Sequence, residues 1–347
     1  MAKYTILTPA GASFTTAGGG YDYEMEALEG LDAEIVECPA TEAGFIAAAP
    51  KADAVYAKGM KFSAPMINAL AKCRHIALGT VGVDYVDVAA ATAKGIPVTN
   101  CPDTFIEEVA DHAMMLLLAA HRRCIEQDRM VREGRWSEGR PQLLTVPRLM
   151  GQTLGFIGFG RVARATARRA RAFGLHMKAF DPYVEELTLS ALGVEPAPLS
   201  EVLSTADFVS MHLPDTPETR GFLKEHHFRQ MKKTALFITT GRGPTVNEAA
   251  LIKALEEKWI AGAGLDVFEI EPTRQDNPLH RMPHIILSPH NASASSRFDP
   301  ARKRRVGQEL ALTLQGKWPM SCVNPTVLEK SPLRRWQPYS MERGPNS

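Results

Sequence analysis

A glycine-rich turn lies at Gly158, Gly160 and Ala163, in the stretch LGFIGFGRVA. The spacing matches the pattern GxGxxG/A, in which the first glycine permits a tight turn and the second lets the backbone approach a pyrophosphate. The small third residue keeps the following helix close to its strand. The free N–H groups of the first helical turn, from Arg161 and Val162, would then face the anion.

An acidic residue follows at the spacing that dinucleotide binding requires. Asp181 lies eighteen residues after Ala163, at the end of the next predicted strand. A carboxylate in this position accepts hydrogen bonds from the adenosine ribose hydroxyls and repels a 2′-phosphate. The sequence therefore predicts a dinucleotide site that favours NAD over NADP, and the alternative is a glycine turn that only packs.

Short apolar runs alternate with helical stretches along the chain, a pattern that predicts parallel βαβ units. Strands are expected near 5–8, 34–36, 54–56, 75–78 and 97–99, and then near 154–157, 177–180, 208–211, 236–239, 262–266 and 285–288. Helices are expected at 64–72, 86–94, 107–123 and 299–315. The pattern breaks at 101–104, which predicts two doubly wound α/β domains with parallel sheets and a cleft between them.

Composition excludes several classes of protein. The 347 residues include 40 Lys+Arg and 39 Asp+Glu, and a net charge of +1 gives no drive toward nucleic acid or an anionic membrane. The longest apolar run, at 113–120, is far shorter than the ~20 residues of a membrane span, and no secretory leader is expected. Five cysteines without a CxxC pair indicate a reduced, cytoplasmic chain with structural thiols.

Further motifs stand in order between about residues 50 and 326. They are TVGVD at 80–84, EEVAD at 107–111, HLP at 212–214, TGRG at 240–243, LDVFEIEP at 265–272 and SPH at 288–290. Together with the glycine turn and Asp181, they resemble the D-isomer-specific 2-hydroxyacid dehydrogenases, which include glyoxylate/hydroxypyruvate reductases and phosphoglycerate dehydrogenases. Because so many motifs occur in the same order, the resemblance is specific.

The resemblance implies a catalytic trio of Arg242, Glu271 and His290. His290 would act as general acid in the reduction of a 2-oxo acid and as general base in the reverse direction. Glu271 would hydrogen-bond the other ring nitrogen and fix the tautomer. The planar fork of Arg242 would hold the substrate carboxylate and carbonyl oxygen, and backbone N–H groups around Val81 and Gly82 would complete the carboxylate site.

NAD is the cofactor that the resemblance implies, with Asp266 accepting a hydrogen bond from the nicotinamide carboxamide. The implied cofactor-binding residues are Thr104, Gly158, Gly160, Arg161, Val162, Asp181, His212, Leu213, Pro214, Thr240, Gly241, Asp266 and Ala292. No metal site is expected, because His226 and His227 are adjacent and no HExxH motif is present.

The resemblance also implies how the chain is divided. A flavodoxin-like substrate-binding domain is expected at 1–101 and 295–330, a Rossmann NAD-binding domain at 102–294, and a mobile polar tail at 331–347. The apolar helix at 109–120 indicates a homodimer. Two positions depart from the family pattern: Gly241 stands where alanine or serine is usual, and Asn247 replaces an aspartate in a place that looks structural.

Several features keep more than one interpretation. The helix after the glycine turn carries Arg161, Arg164, Arg168, Arg169 and Arg171. It is either a solvated face, which the neutral net charge favours, or a phosphate or nucleic-acid patch. Trp136 either reaches into a partner subunit near the substrate or packs in a dimer contact. The glycines at 18–20 are expected to form a flexible surface loop, since no Lys-Ser/Thr follows them.

The sequence therefore predicts an NAD-dependent D-2-hydroxyacid dehydrogenase that works as a 2-oxo acid reductase. Its partners would be a small 2-oxo or 2-hydroxy acid and a second copy of the chain, with no nucleic acid and no membrane. One alternative is an NAD(H)-sensing, corepressor-like binding protein of the same fold. Another is a relative that acts on formate or phosphite, although Leu287-Ser288-Pro289 stands where formate enzymes place a glutamine.

Overall fold

The structure, a computed structural model, describes residues 3–11 and 20–335. The glycines at 18–19 and residues 336–347 of the expected tail lie outside the described residues. The chain divides into two compact units, and the boundary falls close to the break seen in the sequence. Unit 1 comprises Met1–Thr104 and Ser296–Ser347, and unit 2 comprises Phe105–Ser295.

Unit 1 is built on a parallel sheet. Its strands are β1 (Tyr4–Pro9), β2 (Ala33–Cys38), β3 (Ala54–Ala57), β4 (Ile76–Leu78) and β5 (Val98–Thr99). The helices between them are α1 (Asp22–Glu26), α2 (Glu42–Ala48), α3 (Ala64–Asn68) and α4 (Val88–Ala93). Among the described residues, the five strands are ordered β2-β1-β3-β4-β5. This is the flavodoxin-like order, so the expected fold of this unit is confirmed.

Unit 2 contains a larger parallel sheet. Its helices are α5 (Ile106–His121), α6 (Cys124–Arg132), α7 (Trp136–Leu143), α8 (Arg161–Ala172), α9 (Glu186–Ala191), α10 (Leu199–Thr205), α11 (Glu225–Phe228) and α12 (Glu248–Glu256). Its strands are β6 (Thr153–Ile157), β7 (His176–Phe180), β8 (Glu195–Pro196), β9 (Phe208–Met211), β10 (Leu236–Thr239), β11 (Gly262–Leu265) and β12 (Ile285–Leu287). The order of the described strands is β12-β11-β10-β9-β6-β7-β8. The chain thus winds outward from β6 in both directions, which is the Rossmann topology.

The last helix, α13 (Phe298–Leu314), returns the chain to unit 1. Its apolar side, with Val306, Leu310 and Leu314, packs in one buried cluster with Ile6 and Tyr56 of the sheet. This burial explains why the unit is built from both ends of the chain, because the sheet needs a helix layer on each face.

Helix α5 is covered on one side only. Met114, Leu116 and Leu117 are buried against the sheet of unit 2, whereas Met115 is 42% exposed. The approach to β11 is close: a Cβ on Gly264 would lie 2.9 Å from the Cβ of Leu116. The sequence correctly placed this helix, but the structure shows a buried face and an open face.

The arginine helix α8 is more than a solvated face. Arg168 and Arg169 form salt bridges with Glu107 of α5 at 2.7 and 2.8 Å, and Arg169 also pairs with Asp111 at 2.6 Å. Arg161, Arg168 and Arg171 are exposed, as expected of a solvated face. In addition, the guanidinium groups of Arg168 and Arg169 join α8 to α5. The sequence did not show this, since the partners lie about sixty positions earlier in the chain.

The sequence pattern does not indicate every element of the fold. Strand β8 and helices α6 and α7 were not predicted, because each is short or strongly polar. At the start of the expected mobile tail, the backbone of Arg334 instead hydrogen-bonds with Gly316 and Trp318. All five cysteines are free, with Cys124 exposed. None of the described helices is long and apolar enough to cross a bilayer.

Candidate active site

The glycine turn joins β6 to α8 as its motif requires. Gly158 has φ +82°, and a Cβ there would lie 2.8 Å from Leu213 Cδ2, so both conformation and space demand glycine. Gly160 precedes α8 and has no atom within 4 Å of its missing Cβ, which leaves open space at the helix N-terminus. Ala163 is fully buried. This cradle fits the pyrophosphate of a dinucleotide.

Asp181, immediately after β7, is tied to the same turn. One carboxylate oxygen accepts a hydrogen bond from the N–H of Phe159 at 2.7 Å, and the other accepts one from the N–H of Tyr183 at 2.9 Å. A carboxylate has about four acceptor positions, so the two that remain can serve the ribose hydroxyls. The backbone contacts also orient the glycine turn, which the motif alone did not indicate.

The segments after β9 and β10 line the same edge of the sheet. His212 is half-buried and its Nε2 lies 2.9 Å from Ser210 Oγ. Desolvation of the ring lowers the pKa of His212 to about 4, which keeps the ring neutral. The backbone of Leu213 passes so close to Gly241 that a Cβ there would lie 2.9 Å from the Leu213 carbonyl oxygen. This approach gives a physical reason for glycine at position 241.

The structure brings His290 and Glu271 into direct contact. His290 Nδ1 lies 2.6 Å from Glu271 Oε2, and Glu271 Oε1 accepts a hydrogen bond from the N–H of Phe268 at 2.9 Å. Burial on its own would raise the pKa of Glu271. The hydrogen bonds from His290 and Phe268, together with the positive charges of His290 and Arg242, outweigh burial and lower that pKa. Glu271 is therefore ionised at neutral pH, and the contact occupies Nδ1 while leaving Nε2 available for proton transfer.

Arg242 directly precedes a short 3-10 turn, Gly243–Thr245, at the end of β10. Its Nη1 donates a hydrogen bond to the carbonyl of Gly241 at 2.9 Å. A Cβ on Gly243 would lie only 1.7 Å from the carbonyl oxygen of Phe268. The loops after β10 and β11 therefore pack backbone to backbone, which brings the charge of Arg242 near Glu271.

Asp266 organises the loop that carries His290. The carbonyl oxygen of Asp266 accepts the N–H of His290 at 2.8 Å, and its carboxylate accepts the N–H groups of Asn291 and Ala292, each at 3.0 Å. Ser288 Oγ donates to the same carboxylate at 2.6 Å. Asp266 is only 1% exposed, and one of its four acceptor positions is left for the expected contact with a nicotinamide carboxamide.

The other expected site residues lie in unit 1. Val81 and Gly82 belong to a loop after β4 in which Thr80 Oγ1 donates to the carbonyl of Gly82 at 2.7 Å. Asn100 Nδ2 donates to the carbonyl of Val81 at 2.7 Å. These contacts hold the loop by its carbonyl groups. Thr104 is the last residue of the first segment of the unit.

Two residues near the site were missed by sequence reasoning. His112, on α5, has its Nε2 2.8 Å from Ser288 Oγ, and Ser288 in turn contacts Asp266. Nothing local in the sequence connects position 112 with position 288.

Among the residues that the structure describes, no group of three or more His, Cys, Asp or Glu side chains is arranged to hold a metal ion.

A Rossmann sheet, a glycine cradle with an acidic residue after the second strand, and a His–Glu pair at the carboxyl edge define a class of protein. It is that of the oxidoreductases that use a nicotinamide dinucleotide. The relatives of the chain narrow the class to a family.

The family model described as "D-isomer specific 2-hydroxyacid dehydrogenase, NAD binding domain" matches residues 114–292. The chain is 43% identical over 270 residues to a glyoxylate reductase of Korarchaeum cryptofilum, covering 78% of this chain and 81% of the relative. It is 38% identical over 279 residues to a glyoxylate reductase of Thermofilum pendens, covering 79% and 82% of the two chains.

A solved structure of similar fold is the NADPH-dependent glyoxylate/hydroxypyruvate reductase from Sinorhizobium meliloti, in complex with NADP and malonate. It is 32% identical, with a TM-score of 0.79, and the match covers 97% of this chain and all of that one. The chain belongs to the D-isomer-specific 2-hydroxyacid dehydrogenase family. It is an NAD-dependent oxidoreductase of the CH–OH group that interconverts 2-oxo and 2-hydroxy acids, as the sequence predicted.

Proposed function

We propose that this enzyme reduces a short 2-oxo acid, such as glyoxylate or hydroxypyruvate, with His290 as its general acid. The observation that carries the proposal is the 2.6 Å contact between His290 Nδ1 and an ionised Glu271, within a loop that Asp266 holds in place. The names of the relatives support a short substrate, since two of them are glyoxylate reductases.

Each member of the trio has a distinct task. When bound, NADH supplies the hydride for the carbonyl carbon of the substrate. His290 gives a proton from Nε2 to the carbonyl oxygen, and Glu271 stabilises the ring while it carries that proton. Arg242 binds the substrate carboxylate and the carbonyl oxygen with its planar guanidinium group. In the direction of oxidation, the neutral His290 takes up the hydroxyl proton instead.

We assign the carboxylate and cofactor sites to the residues expected from the sequence. Within the described part of the chain, no backbone hydrogen bond starts from the N–H of Val81 or Gly82, and the loop is held by its carbonyl groups, so these two N–H groups can face a carboxylate. The cofactor would be held by the glycine cradle and by the segments after β7, β9, β10 and β12. Asp181 favours NAD over NADP, because its negative charge lies at the end of β7.

We propose a homodimer formed through α5 and its neighbours. A groove of about 540 Å³ lies on this surface, and its apolar lining includes Met114, Met115, Leu118 and Phe173. Trp136, the first residue of α7, is 79% exposed. Apolar surface of this kind marks an interface, and a second copy of the chain covers it in this proposal. The five free cysteines favour a reducing compartment, which we take to be the cytoplasm.

The reaction is tested by following NADH absorbance with purified protein and a panel of 2-oxo acids. The panel runs from glyoxylate and hydroxypyruvate to branched and aromatic acids. We expect turnover on a short acid that is lost in His290→Ala and kept in His176→Ala, a matched variant of an exposed histidine at the start of β7. NADH binding without turnover on any acid would refute the proposal and favour a sensor.

The dimer is tested by light scattering coupled to size-exclusion chromatography. Met115→Glu places a charge on the groove and should yield monomers, whereas Leu187→Glu alters an exposed leucine on α9 and should leave the dimer intact. A wild-type monomer at all concentrations would contradict this proposal without touching the proposed reaction.

A further inference from the structure

We infer that His112 is a positioning residue for the catalytic loop and acts on His290 through Ser288 and Asp266. The inference rests on the proposed role of His290. His112 lies on α5, and its hydrogen bond in the described part of the chain goes to Ser288, not to Glu271 or His290. A continuous line of hydrogen bonds nevertheless connects it to the backbone that carries His290.

The direction of each hydrogen bond follows from the donors available. Ser288 Oγ lies 2.6 Å from Asp266 Oδ1, and since an ionised carboxylate only accepts, the hydroxyl proton must point to Asp266. The hydroxyl oxygen is then the acceptor for His112 Nε2, which lies 2.8 Å away. His112 must therefore carry a proton on Nε2, and this nitrogen also lies 3.4 Å from Asp266 Oδ1.

Asp266 connects Ser288 and His112 to the loop that carries His290. Its carboxylate accepts the N–H groups of Asn291 and Ala292, and its carbonyl oxygen accepts that of His290. Asp266 thus contacts three consecutive backbone N–H groups, and the first of them belongs to the proposed catalytic residue. A carboxylate free to rotate could not hold the contacts with Asn291 and Ala292 together, and Ser288 with His112 fixes its plane.

The backbone of His290 needs such support. Its φ of +49° lies in the left-handed region, which residues with a Cβ rarely adopt because the Cβ approaches the following carbonyl oxygen. That conformation directs the ring so that Nδ1 meets Glu271. Loss of the His112 hydrogen bond loosens Ser288 and Asp266, and the loop can then relax toward ordinary backbone angles with the His290 ring turned from its partner.

Burial strengthens the hydrogen bonds that link His112, Ser288 and Asp266. Asp266 is almost wholly buried, and the side chain of His112 is 17% exposed. Water therefore competes little for these hydrogen bonds, and linked hydrogen bonds in such surroundings reinforce one another. The nearby main-chain contact of Ser288, whose N–H donates to the carbonyl of Leu265 at 2.9 Å, anchors the middle of the chain to the end of β11.

Three substitutions test the inference. Glutamine can place its amide nitrogen near the position of His112 Nε2, so His112→Gln keeps the donor, whereas His112→Leu keeps the bulk and removes the donor. Ser288→Ala removes the middle link with a small change in volume. We expect kcat for oxo acid reduction to fall about tenfold in His112→Leu and in Ser288→Ala, with KM for the oxo acid within about twofold.

His112→Gln should recover kcat to within about threefold of the wild type. The double variant His112→Leu/Ser288→Ala should be no worse than either single variant, because both break the same chain. If His112 served folding alone, its loss would lower Tm, but kcat would not fall while KM stayed the same. His112→Gln would then not recover kcat. Equal kcat in His112→Leu and wild type, additive losses in the double variant, or failure of glutamine to rescue would each overturn the inference.

A readout without turnover separates this inference from the proposed function. The NMR signal of the His290 ring Cε1–H, assigned with His290→Ala, is measured in cofactor-free protein. We expect it to shift in His112→Leu and Ser288→Ala and to stay near the wild-type position in His112→Gln. Those shifts in a protein that reduces no oxo acid would uphold the positioning role and refute the reaction, whereas turnover with an unmoved signal would do the opposite.

Discussion

The charge of Glu271 is the strongest single test of the proposed mechanism. Glu271→Gln keeps the size of the side chain and a carbonyl oxygen for His290 Nδ1, but removes the negative charge. The pKa of Glu271 is lowered by His290, Phe268 and Arg242 despite burial, so the wild-type side chain is ionised throughout the neutral range. The substitution therefore removes a full charge from beside the ring that must carry a proton.

The magnitude follows from distance and exposure. Charges about 4 Å apart attract by roughly 1 kcal/mol in water and roughly 4 kcal/mol at an effective dielectric constant of 20. The two side chains are 41% and 34% exposed, so solvent screening places the loss near the lower limit, at about 1–2 kcal/mol. This corresponds to a fall of about 5- to 30-fold in kcat for oxo acid reduction at neutral pH.

The assay is a pH profile of kcat for NADH-dependent reduction. Reduction needs a protonated His290 ring, and the variant stabilises that form less. As the pH rises, the activity of the variant should therefore begin to fall at a lower pH than that of the wild type, with KM for the oxo acid changed little. Glu269→Gln, two positions earlier and paired with the backbone of Glu248, is the matched control and should keep the wild-type profile. A Glu271→Gln enzyme with an unaltered profile and near-normal kcat would refute the assigned role.

Three further predictions concern the cofactor site and stability. Asp181→Ala should lower the ratio of kcat/KM for NADH over NADPH at least about tenfold, and an unchanged ratio would contradict the assignment of cofactor preference. Gly243→Ala should lower Tm and abolish activity, since its Cβ would lie 1.7 Å from Phe268 O, whereas Gly160→Ala, with open space, should keep Tm and weaken NADH binding measured by fluorescence. Burial lowers the pKa of His75 to about 3 in the folded chain, whereas the exposed ring of the unfolded chain keeps the ordinary value of 6.5. Between these two values only the unfolded chain binds the proton, so the free energy of unfolding should fall as pH drops from about 6.5 to 3. The free energy of unfolding, measured by urea titration at several pH values, should fall less steeply with pH in His75→Gln than in the wild type. An equal slope in both proteins would contradict a neutral, buried His75 ring.

The dinucleotide cradle could be read from the sequence because it is a local device. Gly158, Gly160 and Asp181 lie within one βαβ unit, and their spacing has a direct structural meaning. The alternation of apolar runs likewise indicated the parallel strands of both sheets. Elements with weak periodicity, such as β8 and the polar helices α6 and α7, were missed because they lack an apolar stripe.

The proposed catalytic pair was accessible only through the resemblance to a family. His290 and Glu271 are nineteen positions apart, and neither an isolated histidine after Ser-Pro nor a glutamate before proline indicates catalysis. The glycines at 241 and 243 had no explanation in the sequence either. The backbones of Leu213 and Phe268 lie against them in the folded chain, and a Cβ at either position would have to displace that backbone, far more at 243 than at 241.

Asn247 shows the intermediate case. The sequence indicated a structural position, and the structure makes it the N-cap of α12, with its side chain accepting the N–H of Ala250 at 2.8 Å. Asparagine and aspartate are equally good caps, which explains why the departure from the family pattern leaves the helix intact.

The sequence by itself determined the class of fold, the cofactor motif and the family, because periodicity and motif spacing act over short stretches of chain. Only the tertiary structure decided how the site is held. Asp266 binds the loop of His290, and His112 reaches that loop across 176 positions through Ser288. Such contacts arise when parallel strands from distant parts of the chain bring their carboxyl ends to one edge, where burial makes each hydrogen bond necessary.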